Sequence, residues 1–234
     1  MYIKANLEKV SIYYSDIAYI EITNHGSEIR VKELFSERNK TIFFSKFLNH
    51  IIPMALYQKE KLMIHASGVS SNGEGILFVG QSGSGKSSLA ASLKDFNIIS
   101  EDSVCIEFNS EGCYTYTSFP FIKLTDTVAT RLQFNKSKKI ALPGDRLSRS
   151  YYRIANISPD KIRLKKCYIL SWGEEFSITR PKIKNFIGAF LSSSYGAMPI
   201  GSCAKSATIH HRFVSRLFSS LPTYILTRNK SNFF

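Results

Sequence analysis

The stretch GQSGSGKSS, Gly80 to Ser88, constrains the fold more than any other part of the sequence. From Gly80 to Ser87 it matches the phosphate-loop pattern GxxxxGK[ST] in full. The apolar run ILFV precedes it, and the helix-like run SLAASLKDF follows it. A strand, a glycine loop and a helix in this order predict an α/β domain that carries the loop at the edge of its sheet.

The residue types in this stretch fit an anion site. Glycines allow a tight turn whose backbone N–H groups point inward, and the following helix adds its positive dipole end. Lys86 is expected to reach the β- and γ-phosphates of a nucleotide, and the Ser87 hydroxyl to bind Mg²⁺. The predicted nucleotide-binding residues are Gly80, Ser82, Gly83, Ser84, Gly85, Lys86, Ser87 and Ser88. The motif does not separate kinases from ATPases or GTPases, and a glycine-rich turn that binds nothing is the alternative.

Two polar insertions in apolar segments are candidates for the rest of the site. His65 lies in LMIHASG, where a histidine bonded to a backbone carbonyl is the simpler interpretation. Glu101 and Asp102 lie in IISEDSV, which the apolar pattern predicts to be part of the strand after the helix. Adjacent carboxylates in a buried strand are costly unless they are paired or face a metal. They therefore predict a Mg²⁺ site or a proton acceptor, with a water-exposed pair as the alternative.

The rest of the chain predicts a mixed β-sheet with helices and a small β-rich N-terminal region. SIYY, AYIEI and EIRVKE favour a small antiparallel sheet, and Phe43 to Lys59 favours a helix with a kink or a late start at Pro53. Around the loop, LMIHASGVS and ILFV form a hairpin pattern across SNGEG. CYTYTS, FIKL, KCYILSW and TYILT predict further strands, and residues 182–195 and 204–221 predict helices. We divide the chain into a region 1–60, with sheet and helix, and a nucleotide-binding domain 61–234.

Composition excludes several classes of protein. Apolar residues make up 44% of the 234 residues, which is enough for a sizeable core. The longest apolar runs fall far short of the ~20 residues of a membrane helix. Charges at Lys4, Glu8 and Lys9 do not fit a signal peptide, and the four cysteines are far apart. We expect a cytoplasmic protein with reduced thiols, no zinc site and no membrane segment.

The net charge of +13 is concentrated in one part of the chain. Between Arg131 and Lys166 there are eleven Lys or Arg residues and two acids, Asp145 and Asp160. Such an excess predicts an anionic partner, namely nucleotide phosphates, an acidic peptide, nucleic acid or a membrane surface, or else a solvated basic face. No nucleic-acid module and no aromatic–basic alternation accompanies it, so nucleic acid is not the expected partner.

HASGVSSNGEGILFVGQSGSGKSSLAASL followed by ISEDSV resembles the C-terminal kinase domain of HPr kinase/phosphorylase and its relatives. That family shares its nucleotide-binding core with phosphoenolpyruvate carboxykinases. The resemblance covers Leu62 to Glu107 and extends more weakly through SFPFIKLTD and LPTYILT. It implies a mixed-sheet phosphate-loop core, association of identical copies, and catalytic roles for His65, Lys86 and Asp102. Asp102 would deprotonate the acceptor hydroxyl, and the implied Mg²⁺ residues are Ser87, Glu101 and Asp102.

The sequence departs from that family in two places. It lacks the long N-terminal domain of the full enzymes and the glycine-rich GxxEIRG-type segment tied to the reverse reaction, so the resemblance does not extend to HPr or to a phosphorylase activity. Shortened relatives include enzymes that phosphorylate a serine on a ribosomally made peptide. The basic segment would then be the acceptor-binding region, with Arg146, Arg149 and Arg153 as candidate clamps or, alternatively, ordinary surface arginines.

The predicted function is an ATP- or GTP-dependent, Mg²⁺-dependent kinase. Its acceptor would be a hydroxyl, serine first, on a peptide, a protein or a small molecule. Two alternatives stay open: a nucleotide-binding accessory module without phosphotransfer, and an NTPase associated with nucleic acid.

Overall fold

The computed structural model describes residues 2–5, 8–15, 17–33, 43, 46–118, 120–134, 139–141, 149–154, 161–194 and 204–230. It has a mixed α/β architecture with a β-rich N-terminal part. The chain divides into two compact units. The first comprises Met1–Met63 and Ser194–Ser215, and the second comprises Ile64–Ser193 and Arg216–Phe234.

The first unit contains a four-stranded antiparallel sheet in the order β1-β2-β3-β4. Its strands are β1 (Tyr2–Ala5), β2 (Val10–Tyr14), β3 (Ala18–Thr23) and β4 (Glu28–Glu33). A π-helical turn (Phe47–Ile51) leads into helix α1 (Ile52–Gln58), with Pro53 in its first turn, where no N–H is needed for the helix. The predicted antiparallel sheet is confirmed for β2 to β4. The predicted helix is present, but helical structure begins before Pro53 and changes there from π- to α-helical geometry.

The second unit is built on a mixed sheet whose strands follow one another through hairpins and crossovers. These strands are β6 (Ala66–Ser71), β7 (Glu74–Val79), β8 (Asn97–Ser100), β9 (Val104–Asn109), β10 (Gly112–Tyr116), β14 (Lys161–Trp172), β15 (Ser177–Thr179) and β16 (Thr223–Arg228). A short strand, β5 (Leu62–Ile64), precedes them. The order runs β9-β10-β14-β7-β6-β8, with β16 on β14 and β15 on β16. β14 pairs in parallel with β7 and β16 and antiparallel with β10, so it is the centre of the sheet.

Three described helices belong to the second unit, namely α2 (Lys86–Ser92), α3 (Asp126–Arg131) and α4 (Ile183–Ser193). Helix α5 (Ala204–Ser220) begins in the first unit and ends in the second. A separate antiparallel sheet has the order β11-β13-β12, with β11 (Phe121–Thr125), β12 (Lys139–Ala141) and β13 (Arg149–Arg153). Its buried side chains Ile122, Leu124 and Tyr152 join the same apolar cluster as Phe78 of β7 and Ala90 of α2. The small sheet is therefore fixed to the strand and helix on either side of the glycine loop. The sequence did not predict β1, α3, β12, β13 or β15, which are too short to show a clear period.

The strand predicted across IISEDSV is wrong at its centre. β8 ends at Ser100, and Glu101 to Ser103 form a turn before β9 begins at Val104. The Ser103 N–H donates to the Glu101 carbonyl at 2.8 Å, and Asp102 has a left-handed φ of 64°. A residue in that conformation cannot continue a pleated strand, so the two carboxylates lie on a tight turn.

No described helix is both long enough and apolar enough to cross a membrane. Cys105, Cys113 and Cys167 are free thiols, and Cys203 lies outside the described residues.

Two glycines give a test of the packing of the second unit. A Cβ on Gly75 would lie 2.9 Å from Ile162 and 3.0 Å from Leu164, whereas a Cβ on Gly188 in α4 would meet nothing within 4 Å. We expect Gly75→Ala to lower the free energy of unfolding by about 1–3 kcal/mol through overpacking. Gly188→Ala should raise it by up to about 1 kcal/mol because alanine favours the helix.

Urea unfolding followed through Trp172, the single tryptophan and a residue of the second unit, measures both changes. Equal effects of the two substitutions would contradict the packing described here.

Candidate active site

The glycine loop, Gly80 to Gly85, joins the end of β7 to the start of α2. Gly83 and Gly85 have φ values of 83° and 82°, and Gly85 is the residue that caps α2. Other residues rarely adopt that conformation, which is the physical reason for the glycines. The predicted strand before the loop and helix after it are both present. Among the other predicted binding residues, Ser82 is exposed at the loop tip, Ser84 is buried and Ser88 is half-buried on α2.

Lys86 is buried, and its ammonium group turns back onto the loop. Nζ donates to the Gly80 carbonyl at 2.9 Å and to the Gln81 carbonyl at 3.2 Å. Burial lowers the pKa of Lys86, and the carboxylates of Asp102 and Glu101 oppose that decrease. The Lys86 ammonium therefore interacts with the Asp102 and Glu101 carboxylates and is hydrogen-bonded to the backbone of the loop.

Glu101 connects the carboxylate turn to the helix that begins at the loop. The Ser87 hydroxyl donates a hydrogen bond to Oε1 of Glu101. Burial, followed by repulsion from Asp102, raises the pKa of Glu101 to about 8, while Ser87 and Lys123 act in the opposite direction. No described group forms a hydrogen bond of standard geometry with the buried Oε2 of Glu101. A carboxyl group with this pKa is mostly protonated at pH 7, so Oε2 becomes a ligand oxygen when that proton is released.

Asp102 is held from two sides. Its Oδ2 lies 3.5 Å from Nζ of Lys123, and its Oδ1 lies 3.6 Å from Nδ1 of His65. The side chains of Asp102 and Lys123 expose only 17% and 14% of their surface, so this ion pair is weakly screened by solvent. A carboxylate held by these two neighbours is oriented, as a proton acceptor must be.

His65 supports the turn through the backbone. Its Nδ1 lies 2.9 Å from the carbonyl oxygen of Asp102, and because a carbonyl only accepts, Nδ1 carries the proton and donates. Burial, with the neighbouring Lys86 charge, lowers the pKa of His65 below its usual value. The ring is therefore neutral at pH 7, with its tautomer set by Asp102. The His65 N–H also donates to the Ser193 carbonyl at 2.5 Å, which fixes the residue between β5 and β6.

The structure brings five predicted site residues into one connected group: His65, Lys86, Ser87, Glu101 and Asp102. Of the three candidate arginines, Arg149 lies close enough to Lys86 to lower its pKa. Arg153 is exposed four residues further along β13, and Arg146 lies outside the described residues. Of the two candidate arginines that the structure describes, Arg149 is the one whose charge affects the pKa of Lys86.

Sequence reasoning missed three residues that contact this site. Lys123 of β11 pairs with Asp102, and its only sequence signal was a lone cation in the alternating strand FIKL. Arg228 is buried, donates from Nη2 to the Ser84 carbonyl at 2.5 Å, and stacks on Trp172 at 4.6 Å from the ring centroid. Trp172 donates from Nε1 to the Gly83 carbonyl at 3.2 Å. Arg228 and Trp172 thus support the loop from the ends of β16 and β14.

The donor set around Glu101 suits a hard cation such as Mg²⁺. It offers the Ser87 hydroxyl, the Glu101 carboxylate with its unbonded Oε2, and the adjacent Asp102 carboxylate, all of them oxygens. Mg²⁺ is usually held by one or two carboxylates together with substrate phosphates and waters. Among the described residues there is no group of three or more His, Cys, Asp and Glu of the kind that cages a metal without substrate.

Comparison with known proteins gives limited information. No family model matches the chain, and no curated protein matches it in sequence. Among solved structures it is similar to the Hpr(Ser) kinase/phosphatase from Coxiella burnetii, with 10% identity over 73% of this chain and 87% of that one, at a TM-score of 0.34. At this level of overlap the comparison assigns neither a fold family nor an activity, and the interpretation of the site depends on its own geometry.

The left-handed backbone of Asp102 predicts how substitutions there change the free energy of unfolding. Asp102→Asn and Asp102→Val both remove the charge that faces Lys123, but asparagine tolerates a positive φ and valine does not. We expect the valine variant to be less stable than the asparagine variant by about 1–2 kcal/mol. Urea unfolding of the two proteins side by side measures the difference. Equal stabilities would show that the turn relaxes to an ordinary conformation.

Proposed function

We propose that the protein is a kinase that transfers the γ-phosphate of ATP or GTP to a hydroxyl group. The observation that carries the proposal is the connection of three elements at one place. The glycine loop with Lys86, the Ser87–Glu101 hydrogen bond, and Asp102 held by Lys123 and His65 form a continuous network. A phosphate cradle alone requires only the first of these elements, whereas phosphotransfer to a hydroxyl also requires an oriented proton acceptor.

The proposed reaction assigns a role to each group. The acceptor hydroxyl attacks the γ-phosphorus, a new O–P bond forms, and the bond from that phosphorus to the β–γ bridging oxygen breaks, so that the nucleoside diphosphate leaves. Asp102 accepts the hydroxyl proton, and Lys123 keeps its carboxylate oriented and balances its charge. Lys86 exchanges its bonds to the Gly80 and Gln81 carbonyls for phosphate oxygens and stabilises the charge that spreads over them.

Ser87 and Glu101 are the residues that would hold Mg²⁺, with Asp102 beside them. Bound there with the nucleotide, Mg²⁺ would supply charge neutralisation of the β- and γ-phosphates. His65 acts as a positioning residue in this scheme, because its Nδ1–H holds the Asp102 carbonyl and so fixes the turn that aims the carboxylate. Arg228 and Trp172 hold the Ser84 and Gly83 carbonyls and keep the loop shaped.

Asp102→Asn is the substitution that tests the proton acceptor. It preserves the backbone conformation but removes the base, so we expect nucleotide binding to change little and phosphotransfer to fall by about 10²–10⁴-fold. Transfer of labelled phosphate from ATP and from GTP to a panel of serine-containing peptides and small alcohols measures the rate. Fluorescence of Trp172, which contacts the loop, measures nucleotide binding separately.

Lys86→Ala and Lys184→Ala form a matched pair for the loop. Lys86 is buried in the loop, whereas Lys184 is exposed on α4. We expect phosphotransfer to be lost in Lys86→Ala, with weaker nucleotide binding, and to be unchanged in Lys184→Ala.

Near-normal turnover in the Asp102→Asn variant would show that Asp102 is not the proton acceptor.

The same measurements separate the kinase from the two alternatives. Nucleotide binding by the wild-type protein with neither transfer nor hydrolysis would favour an accessory module. A steeply salt-dependent affinity for DNA or RNA would favour an NTPase associated with nucleic acid.

A further inference from the structure

One face of the small sheet points toward the site. In an antiparallel pair, residues directly opposite each other project from the same side, and alternate residues along a strand share that side. β11 and β13 pair Phe121 with Arg153, Lys123 with Tyr151, and Thr125 with Arg149. The opposite side carries Ile122, Leu124 and Tyr152 into the apolar cluster. The remaining side, which we call the β11–β13 face, carries Phe121, Lys123, Thr125, Arg149, Tyr151 and Arg153.

Two residues of the β11–β13 face interact with groups of the proposed reaction. Lys123 lies 3.5 Å from the Asp102 carboxylate, and Arg149 is close enough to Lys86 to lower its pKa. The reacting groups therefore lie beside the Thr125/Arg149 end and the middle Lys123/Tyr151 row of the face. Phe121 and Tyr151 make an edge-on ring contact at 6.5 Å between centroids, and Arg153 is exposed opposite Phe121 at the other end.

The charges of the β11–β13 face indicate what it binds. Lys123, Arg149 and Arg153 are cations, and none of the six residues is acidic. Elsewhere in the basic segment, Lys161 lies over the Tyr114 ring and Lys165 pairs with Glu74. A face that has the proposed reacting groups beside its Lys123 and Arg149 rows, and an exposed arginine opposite Phe121 at its far end, is complementary to an extended peptide with a carboxylate.

We propose that the β11–β13 face binds the acceptor as an extended peptide whose acidic side chain pairs with Arg153. This inference rests on the proposed function and names its substrate class. Strand geometry places the Arg153 row about 7 Å from the Lys123 row and about 14 Å from the Arg149 row. An extended peptide advances about 3.4 Å per residue, so the acidic residue lies about two to four residues from the phosphorylated hydroxyl.

The experiment uses the full-length protein and a series of serine peptides of about ten residues. Each peptide carries one glutamate at a different distance from the serine, and each has a twin with glutamine in its place. Phosphate transfer from labelled ATP gives kcat/KM. Fluorescence anisotropy with a non-hydrolysable ATP analogue gives peptide binding independently of chemistry. We expect glutamate two to four residues from the serine, on one side of it, to improve both by about three- to ten-fold over glutamine.

Arg153→Gln and Arg163→Gln provide matched variants. Both residues are exposed strand arginines of the basic segment, but Arg163 lies on β14 and donates to the Glu111 carbonyl. We expect Arg153→Gln to abolish the preference for glutamate and Arg163→Gln to keep it, while both unfold in urea like the wild type. A preference that survives in Arg153→Gln, or is absent from the wild type, would overturn the inference.

The two readouts distinguish failure of the inference from failure of the proposed function. Phosphate transfer that depends on Lys86 but shows no glutamate preference would leave the kinase in place and overturn the acidic peptide. Glutamate-dependent binding without transfer would keep the peptide site and overturn the kinase. Tighter binding of a fluorescent RNA oligonucleotide than of any peptide, lost in Arg153→Gln, would assign the β11–β13 face to nucleic acid instead.

Discussion

The hydrogen bond from the Ser87 hydroxyl to the Glu101 carboxylate joins the two halves of the candidate site. Ser87 lies in the first turn of the helix that follows the glycine loop, and Glu101 lies on the turn that follows the next strand. Without that bond the glycine loop and the carboxylate turn would be two separate features of the fold. With it, Lys86 and Asp102 belong to one electrostatic group in which each influences the pKa of its neighbours.

The turn that carries the carboxylates is strained, and its surroundings hold it in place. Asp102 has a left-handed backbone, which costs of order 1–2 kcal/mol for a residue with a side chain. His65 donates to its carbonyl, and the Ser100 hydroxyl donates to the Ser103 carbonyl at 2.5 Å, so both sides of the turn are bonded. Strain of this kind is typical of sites where a side chain must point in one direction. The same bonds make His65 a residue that positions the turn, in keeping with the simpler interpretation of a histidine bonded to a carbonyl.

Much of the fold was predictable because it depends on local patterns. The antiparallel N-terminal sheet, the hairpin before the loop and the helix after it follow from alternation, turn residues and capping within short segments. The polar run SEDS was misread because apolar residues on both sides continued a strand period across it. Aspartate also gives no sign in a sequence of a left-handed conformation, as glycine would. The strands β12 and β13 were missed because each is short and lies in a basic segment without clear alternation.

The sequence by itself determined the glycine loop and the residue types of the candidate site around it, because those residues are contiguous and their backbone requirements are local. It also placed His65, Glu101 and Asp102 near that loop along the chain. Only the tertiary structure decided that Lys123 pairs with Asp102, that Arg149 approaches Lys86, and that Arg228 and Trp172 hold the loop. These contacts join segments up to 144 residues apart. They depend on the register of β11 with β13 and of β14 with β16, which long-range packing sets and no local pattern encodes.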